Sequence, residues 1–112
     1  MSSEFNINSE THNDTLLMRT DGYINNVAGE KILEEFSKNF VSGMNKVVMD
    51  LDKSKVVNSI GISYLIDIIE KLNESNGKLI FTNLDPTIEK TFGIMGIFQF
   101  AQKADSVEDA LK

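Results

Sequence analysis

The stretch Val56-Val57-Asn58-Ser59-Ile60-Gly61-Ile62-Ser63 carries the residue types most able to do chemistry in this chain. A serine stands between a β-branched run and an amphipathic pattern. Such a loop falls at the carboxyl end of a strand, where open α/β sheets place their sites. Ser59 occupies the position expected of a helix N-cap. In the plainest role its hydroxyl accepts an orphan backbone N–H. In the other, the hydroxyl is exposed and modified. A helix N-terminus tolerates a phosphate, because its free N–H groups and its dipole favour negative charge. The phosphate would add about −1.5 to −2 charge and reverse the local character of a contact surface. Ser63, one turn later, reads as a polar-face residue.

Other chemistry is sparse. The chain has no Cys and a single His, His12, in a polar stretch near the N-terminus. His12 reads as a solvated residue rather than a catalytic base. No nucleophile elbow, phosphate loop or His/Cys metal spacing occurs. No catalytic residue, metal or cofactor is expected. Asp50, Asp52 and Asp67 lie near one strand and the next helix, and surface solvation is expected of them. Ile60 and Ile62 flank Gly61, and Ile94-Met95-Gly96-Ile97-Phe98 forms a second Gly-punctuated apolar segment. Most of these side chains are expected in the core, with some available as a binding patch.

The elements that position this loop follow from the patterning. Phe5–Ile7 predicts a first short strand, and Thr11–Asp14 a polar turn. Thr15–Thr20 predicts a second strand, closed by Asp21-Gly22. Asn25 or Asn26 caps a helix over about Val27–Phe40, which Ser42-Gly43 ends. Lys46–Leu51 predicts a strand covered on both faces, with Val56-Val57 extending the sheet or lining its end. A helix from Ser59–Gly61 to about Ser75 carries Ile62, Leu65, Ile66, Ile69 and Leu72 in one stripe. Asn76-Gly77 stops it. Lys78–Thr82 predicts a strand and Pro86–Phe92 a helix. Ile94–Phe100 is expected as a short apolar strand, and Ser106–Leu111 as a closing helix. Strands alternating with helices predict an α/β domain with a mixed sheet.

The 112 residues are of one-domain size, with 41% hydrophobic and 25% charged residues and a net charge of −6. That balance predicts a globular protein and argues against nucleic acid or an anionic membrane as partner. The N-terminus lacks the features of a signal peptide, and no apolar run reaches bilayer length, so a cytoplasmic location is expected.

At the Ser59 loop the sequence resembles the STAS family, and within it the bacterial anti-sigma factor antagonists. Gly22-Tyr23-Ile24-Asn25 resembles the turn after the family's second strand. Val47-Val48-Met49-Asp50-Leu51 resembles its central strand, and Asn58-Ser59-Ile60-Gly61-Ile62 its signature loop. Gly77-Lys78-Leu79, Phe92–Phe98 and Ser106–Leu111 are similar to its later segments. The resemblance implies one STAS domain over residues 1–112, a mixed sheet packed by helices on one side. It implies a binding protein rather than an enzyme, with Ser59 as phosphoacceptor and Asn25, Asn58, Ser59, Ile60, Gly61 and Ile62 as partner-binding residues. The implied partner is an anti-sigma factor that is also a serine kinase of the histidine-kinase-like ATPase type, with a serine phosphatase reversing the modification. Asn58 and Asn25 stand where the family usually has Asp, which removes two carboxylates from beside Ser59. That departure motivates an alternative, a constitutive scaffold or sensor-complex subunit. A small-molecule binder is the third reading.

Overall fold

The computed structural model describes residues 4–112. Strand β1 (Asn6–His12) turns through Asn13-Asp14 into β2 (Thr15–Asp21). Asn13 takes a left-handed backbone (φ 57°), as asparagine tolerates in tight turns. Helix α1 (Asn26–Asn39), β3 (Lys46–Lys53), α2 (Ser59–Glu74), β4 (Lys78–Thr82) and α3 (Pro86–Ile94) follow. A 3-10 turn (Ile97–Gln99), strand β5 (Gln102–Ala104) and α4 (Val107–Leu111) complete the order. The sheet runs β1-β2-β3-β4-β5, each strand beside its sequence neighbour. The β1–β2 pair is antiparallel, and the pairs β2–β3, β3–β4 and β4–β5 are parallel. This is the α/β mixed sheet that the alternating pattern predicts.

Two expectations fail at the ends. β1 reaches His12 rather than stopping at Ile7, and Phe5 lies outside it, buried in the core. The strand's last five residues, Asn8–His12, are wholly polar and carry no alternation to read. Ile94–Phe100 is not a strand. Ile94 ends α3, Gly96 turns the chain with φ 77°, and the sheet is completed by the largely polar Gln102–Ala104.

The period of two in the strands divides the core. Leu16, Met18, Val47, Met49, Leu79 and Phe81 face α1, α2 and α3. Leu17, Val48 and Ile80 point the other way and pack against Ala110, Val107 and Leu111 around α4. The three longer helices thus share one side, as the resemblance implies, and the short α4 covers part of the opposite face. Lys46 fastens α4 there: its buried ammonium donates to the carbonyl oxygens of Ala110 (2.9 Å) and Lys112 (3.4 Å), the end of the helix that favours a cation.

Asp50 is buried, not solvated as expected. Its Oδ1 accepts from the Asn83 amide (2.9 Å), the Asp52 N–H (3.1 Å) and the Thr82 hydroxyl (3.4 Å). The Arg19 Nε lies 3.7 Å from Oδ2. A buried carboxylate demands such partners. Asp52 is exposed, and Asp67 pairs with Lys71 one turn along α2. Among the described residues, no cluster of His, Cys, Asp and Glu could hold a metal ion.

Candidate functional site

Parallel pairing of β2 and β3 brings the chain out at the same sheet edge twice. The two exits are stitched together by a parallel bridge between Ile24 and Val57. Ile24 N–H donates to Val56 O (3.0 Å), and Asn58 N–H donates to Ile24 O (3.0 Å). The N-termini of α1 and α2 therefore start side by side. Each is capped by an asparagine. Asn25 Oδ1 accepts from Ala28 N–H at 3.0 Å, and Asn58 Oδ1 accepts from Gly61 N–H at 2.8 Å. Both caps have the extended backbone that the position requires.

This geometry changes the expected role of Ser59. It is the first residue of α2, not its cap. Asn58 takes the orphan donor, and Ser59 is exposed at the helix start. Among the described residues its hydroxyl makes no hydrogen bond, and its carbonyl accepts from the Ser63 hydroxyl at 3.0 Å. Neither α1 nor α2 has an acidic residue in its first turn. The two Asn-for-Asp departures thus preserve the caps and remove two formal charges from the dipole-positive end of paired helices.

Of the other residues expected at the site, Ile60 is exposed. Gly61 and Ile62 are buried. They position the loop by packing beneath it rather than presenting surface. Gly61 lies flat against Ile24, with no room for a side chain. The exposed apolar groups at this edge include Tyr23 and Val27 at the start of α1 and Val56 just before α2. These three are not among the site residues that the sequence suggests. Nothing in their local pattern sets them beside Ser59; the bridge between Ile24 and Val57 shows that they share its edge.

His12 closes β1, half exposed, with Nε2 3.0 Å from Glu10 Oε1. Arg19 also pairs with Glu10. The His12 hydrogen bond foremost, with Arg19 adding to it, holds the Glu10 carboxyl below its usual range. This cluster lies at the far end of β1 from the Ser59 edge and brings no base to the serine. Among the described residues, no helix is long and apolar enough to cross a membrane.

Several known proteins similar to this chain carry the name anti-sigma factor antagonist. The "putative anti-sigma factor antagonist BtrV" of Bordetella bronchiseptica is 25% identical over 95 residues, spanning 85% of this chain and 82% of that protein. The crystal structure of an anti-sigma factor antagonist from Mycobacterium paratuberculosis superposes with a TM-score of 0.84 at 18% identity, covering 99% of this chain and 94% of that one. The phosphorylated form of the Bacillus cell fate determinant SpoIIAA gives 0.75 at 21% identity, covering 95% and 96%. At those identities the two solved structures speak for the fold. The STAS domain model matches residues 6–110, nearly the whole chain and all five strands, and the chain belongs to the STAS domain family.

Proposed function

We propose that this chain is an anti-sigma factor antagonist that works by binding, and that phosphorylation of Ser59 switches the binding off. The observation that carries the reading is the freed hydroxyl. Ser59 is exposed at the start of α2, and Asn58 performs the capping that would otherwise occupy it. A phosphate there meets a helix N-terminus beside a second one, with no first-turn carboxylate to repel it. Around it, Tyr23, Val27, Val56 and Ile60 supply exposed apolar contact area for a partner. The name of BtrV and the solved phosphorylated form of SpoIIAA support the same reading.

The partner in this reading is an anti-sigma factor with serine kinase activity of the histidine-kinase-like ATPase type. Unphosphorylated chain binds it and frees a sigma factor. A serine phosphatase restores the binding form. The cycle is cytoplasmic, involves neither nucleic acid nor membrane on this chain's surface, and needs no catalysis from it. Asn25, Asn58 and Ile60 contact the partner with Ser59, and Gly61 and Ile62 support the loop from below.

The test is phosphate incorporation from ATP in extract of the source cells, located by intact mass and peptide mapping. One phosphate on Ser59, with partner binding lost in Ser59→Asp, is the expected result. A partner complex indifferent to both ATP and Ser59→Asp would instead identify a constitutive scaffold.

A further inference from the structure

A second surface lies further along α2. Ile66, Ile69 and Asn73 form one wall of a groove, and Met95, Ile97 and Phe100 form the other. The cavity between them is about 240 Å3. That is below the roughly 300–1,000 Å3 of small-molecule sites, and fits one or two side chains. Three large apolar residues of the far wall segment stand in solvent: Ile94 at 77% exposure, Phe100 at 62% and Met95 at 49%. Single exposed apolar residues are ordinary, but a cluster beside an apolar groove marks an interaction surface.

The rim is charged on one side only. Glu70 lines the groove from α2, with Asp67 one turn before it and Glu74 one turn after. Asp67 faces Lys71 at 4.0 Å, whereas Glu70 and Glu74 meet no cation among the described residues. The opposite wall has no charged lining residue. A second copy of this chain would set Glu70 and its neighbours against the same carboxylates across a two-fold axis, on a chain of net charge −6.

We infer that this groove docks an amphipathic helix of a partner protein, one that inserts one or two large apolar anchors between α2 and the Met95–Phe100 segment and sets Lys or Arg against Glu70 and Glu74. Helices dock in grooves by apolar residues at i, i+3 or i+4, and i+7. The carboxylates of α2 select the sign of the flanking charge. The groove is distinct from the phosphorylation site: Glu70 lies about 16 Å along the helix from Ser59, beyond the ~8 Å screening length of physiological salt. Its occupant is recognised whether or not Ser59 carries phosphate.

The experiment pans a phage-displayed library of random 16-residue peptides against the full chain. The expected peptides are basic, with apolar residues at helical spacing. A fluorescein-labelled representative, followed by anisotropy, should bind at least tenfold more weakly to Phe100→Ser and to Glu70→Lys. Both positions are exposed, and Met95→Ser serves if circular dichroism shows either variant misfolded. Absence of enrichment, enrichment of acidic peptides, or affinity unchanged by these variants overturns the inference. So does a concentration-dependent dimer that Phe100→Ser abolishes, because the groove then belongs to a second copy. Phosphate incorporation at Ser59, read by intact mass on the same variants, reports on the switch separately.

Discussion

A β-carbon on Gly61 would lie 2.3 Å from the carbonyl oxygen of Ile24. No real side chain tolerates that approach, and the obstacle is backbone held in place by the Asn58 and Val56 hydrogen bonds. The two helix starts can share an edge only because this position has no side chain. Gly61→Ala is therefore expected to destabilise the domain by about 1–3 kcal/mol, the cost of overpacking a fixed site. Urea unfolding measures it. Gly93→Ala, where an added β-carbon meets nothing within 4 Å, is the matched control and should cost far less.

Ser59→Ala is expected to leave stability within about 0.5 kcal/mol, the range of ordinary surface changes. Asn58→Ala should cost about 1 kcal/mol, because it leaves the Gly61 N–H without its acceptor. The contrast reverses the assignment that the sequence suggests for Ser59. A thermal melt of the two variants side by side decides it.

Asn25→Asp and Asn58→Asp keep an acceptor in each cap and restore a charge to the helix start. Each is expected to stabilise the unphosphorylated chain by about 0.3–1 kcal/mol at low ionic strength. The gain should shrink in salt. The same charges should oppose a phosphate on Ser59, so the stability difference between phosphorylated and unphosphorylated chain should fall in the double variant. Differential scanning calorimetry of both forms checks this.

Asp50→Ala removes the acceptor shared by Asn83, Thr82 and the Asp52 N–H. Stranding buried donors costs about 1–3 kcal/mol. Loss of that order, seen as a lower urea midpoint, is expected.

Glu10 carries the pH dependence of the β1 edge. Its folded carboxyl is held below the usual carboxylate range, first by the His12 hydrogen bond and then by Arg19. A depressed pKa means the unfolded chain binds the proton more tightly. The contribution is thus fully present above the ordinary carboxylate pKa and is lost as pH falls through the depressed value. Glu10→Gln should lower the melting temperature slightly near neutrality, flatten its fall in that acidic window, and converge with the parent chain below it. Carboxyl NMR titration locates the Glu10 midpoint directly.

The strands and helices that bury a stripe were legible in the sequence to within a residue or two. Lys46–Leu51, Lys78–Thr82 and the Ile62–Leu72 stripe needed only apolar periodicity. What escaped was polar or conformational. Asn8–His12 pairs through its backbone with no side-chain pattern, and Gln102–Ala104 joins the sheet on three residues. At the site, the serine and both asparagines were legible as residue types. Which one caps was not, because Asn and Ser are near equals as caps and only the backbone start of α2 chooses between them. Tyr23, Val27 and Val56 could not be placed at Ser59's edge without the Ile24–Val57 bridge, which joins segments far apart in sequence.

The strand order β1-β2-β3-β4-β5 also governs how the chain is made. Each strand leaving the ribosome finds its only earlier partner already synthesised, and none waits for a distant segment. Closure falls to α4, the last element, which covers Leu17, Val48 and Ile80 once Lys46 can reach its carbonyls. Until then those three apolar side chains face solvent, so a chain truncated after β5 would expose an apolar sheet face prone to aggregation.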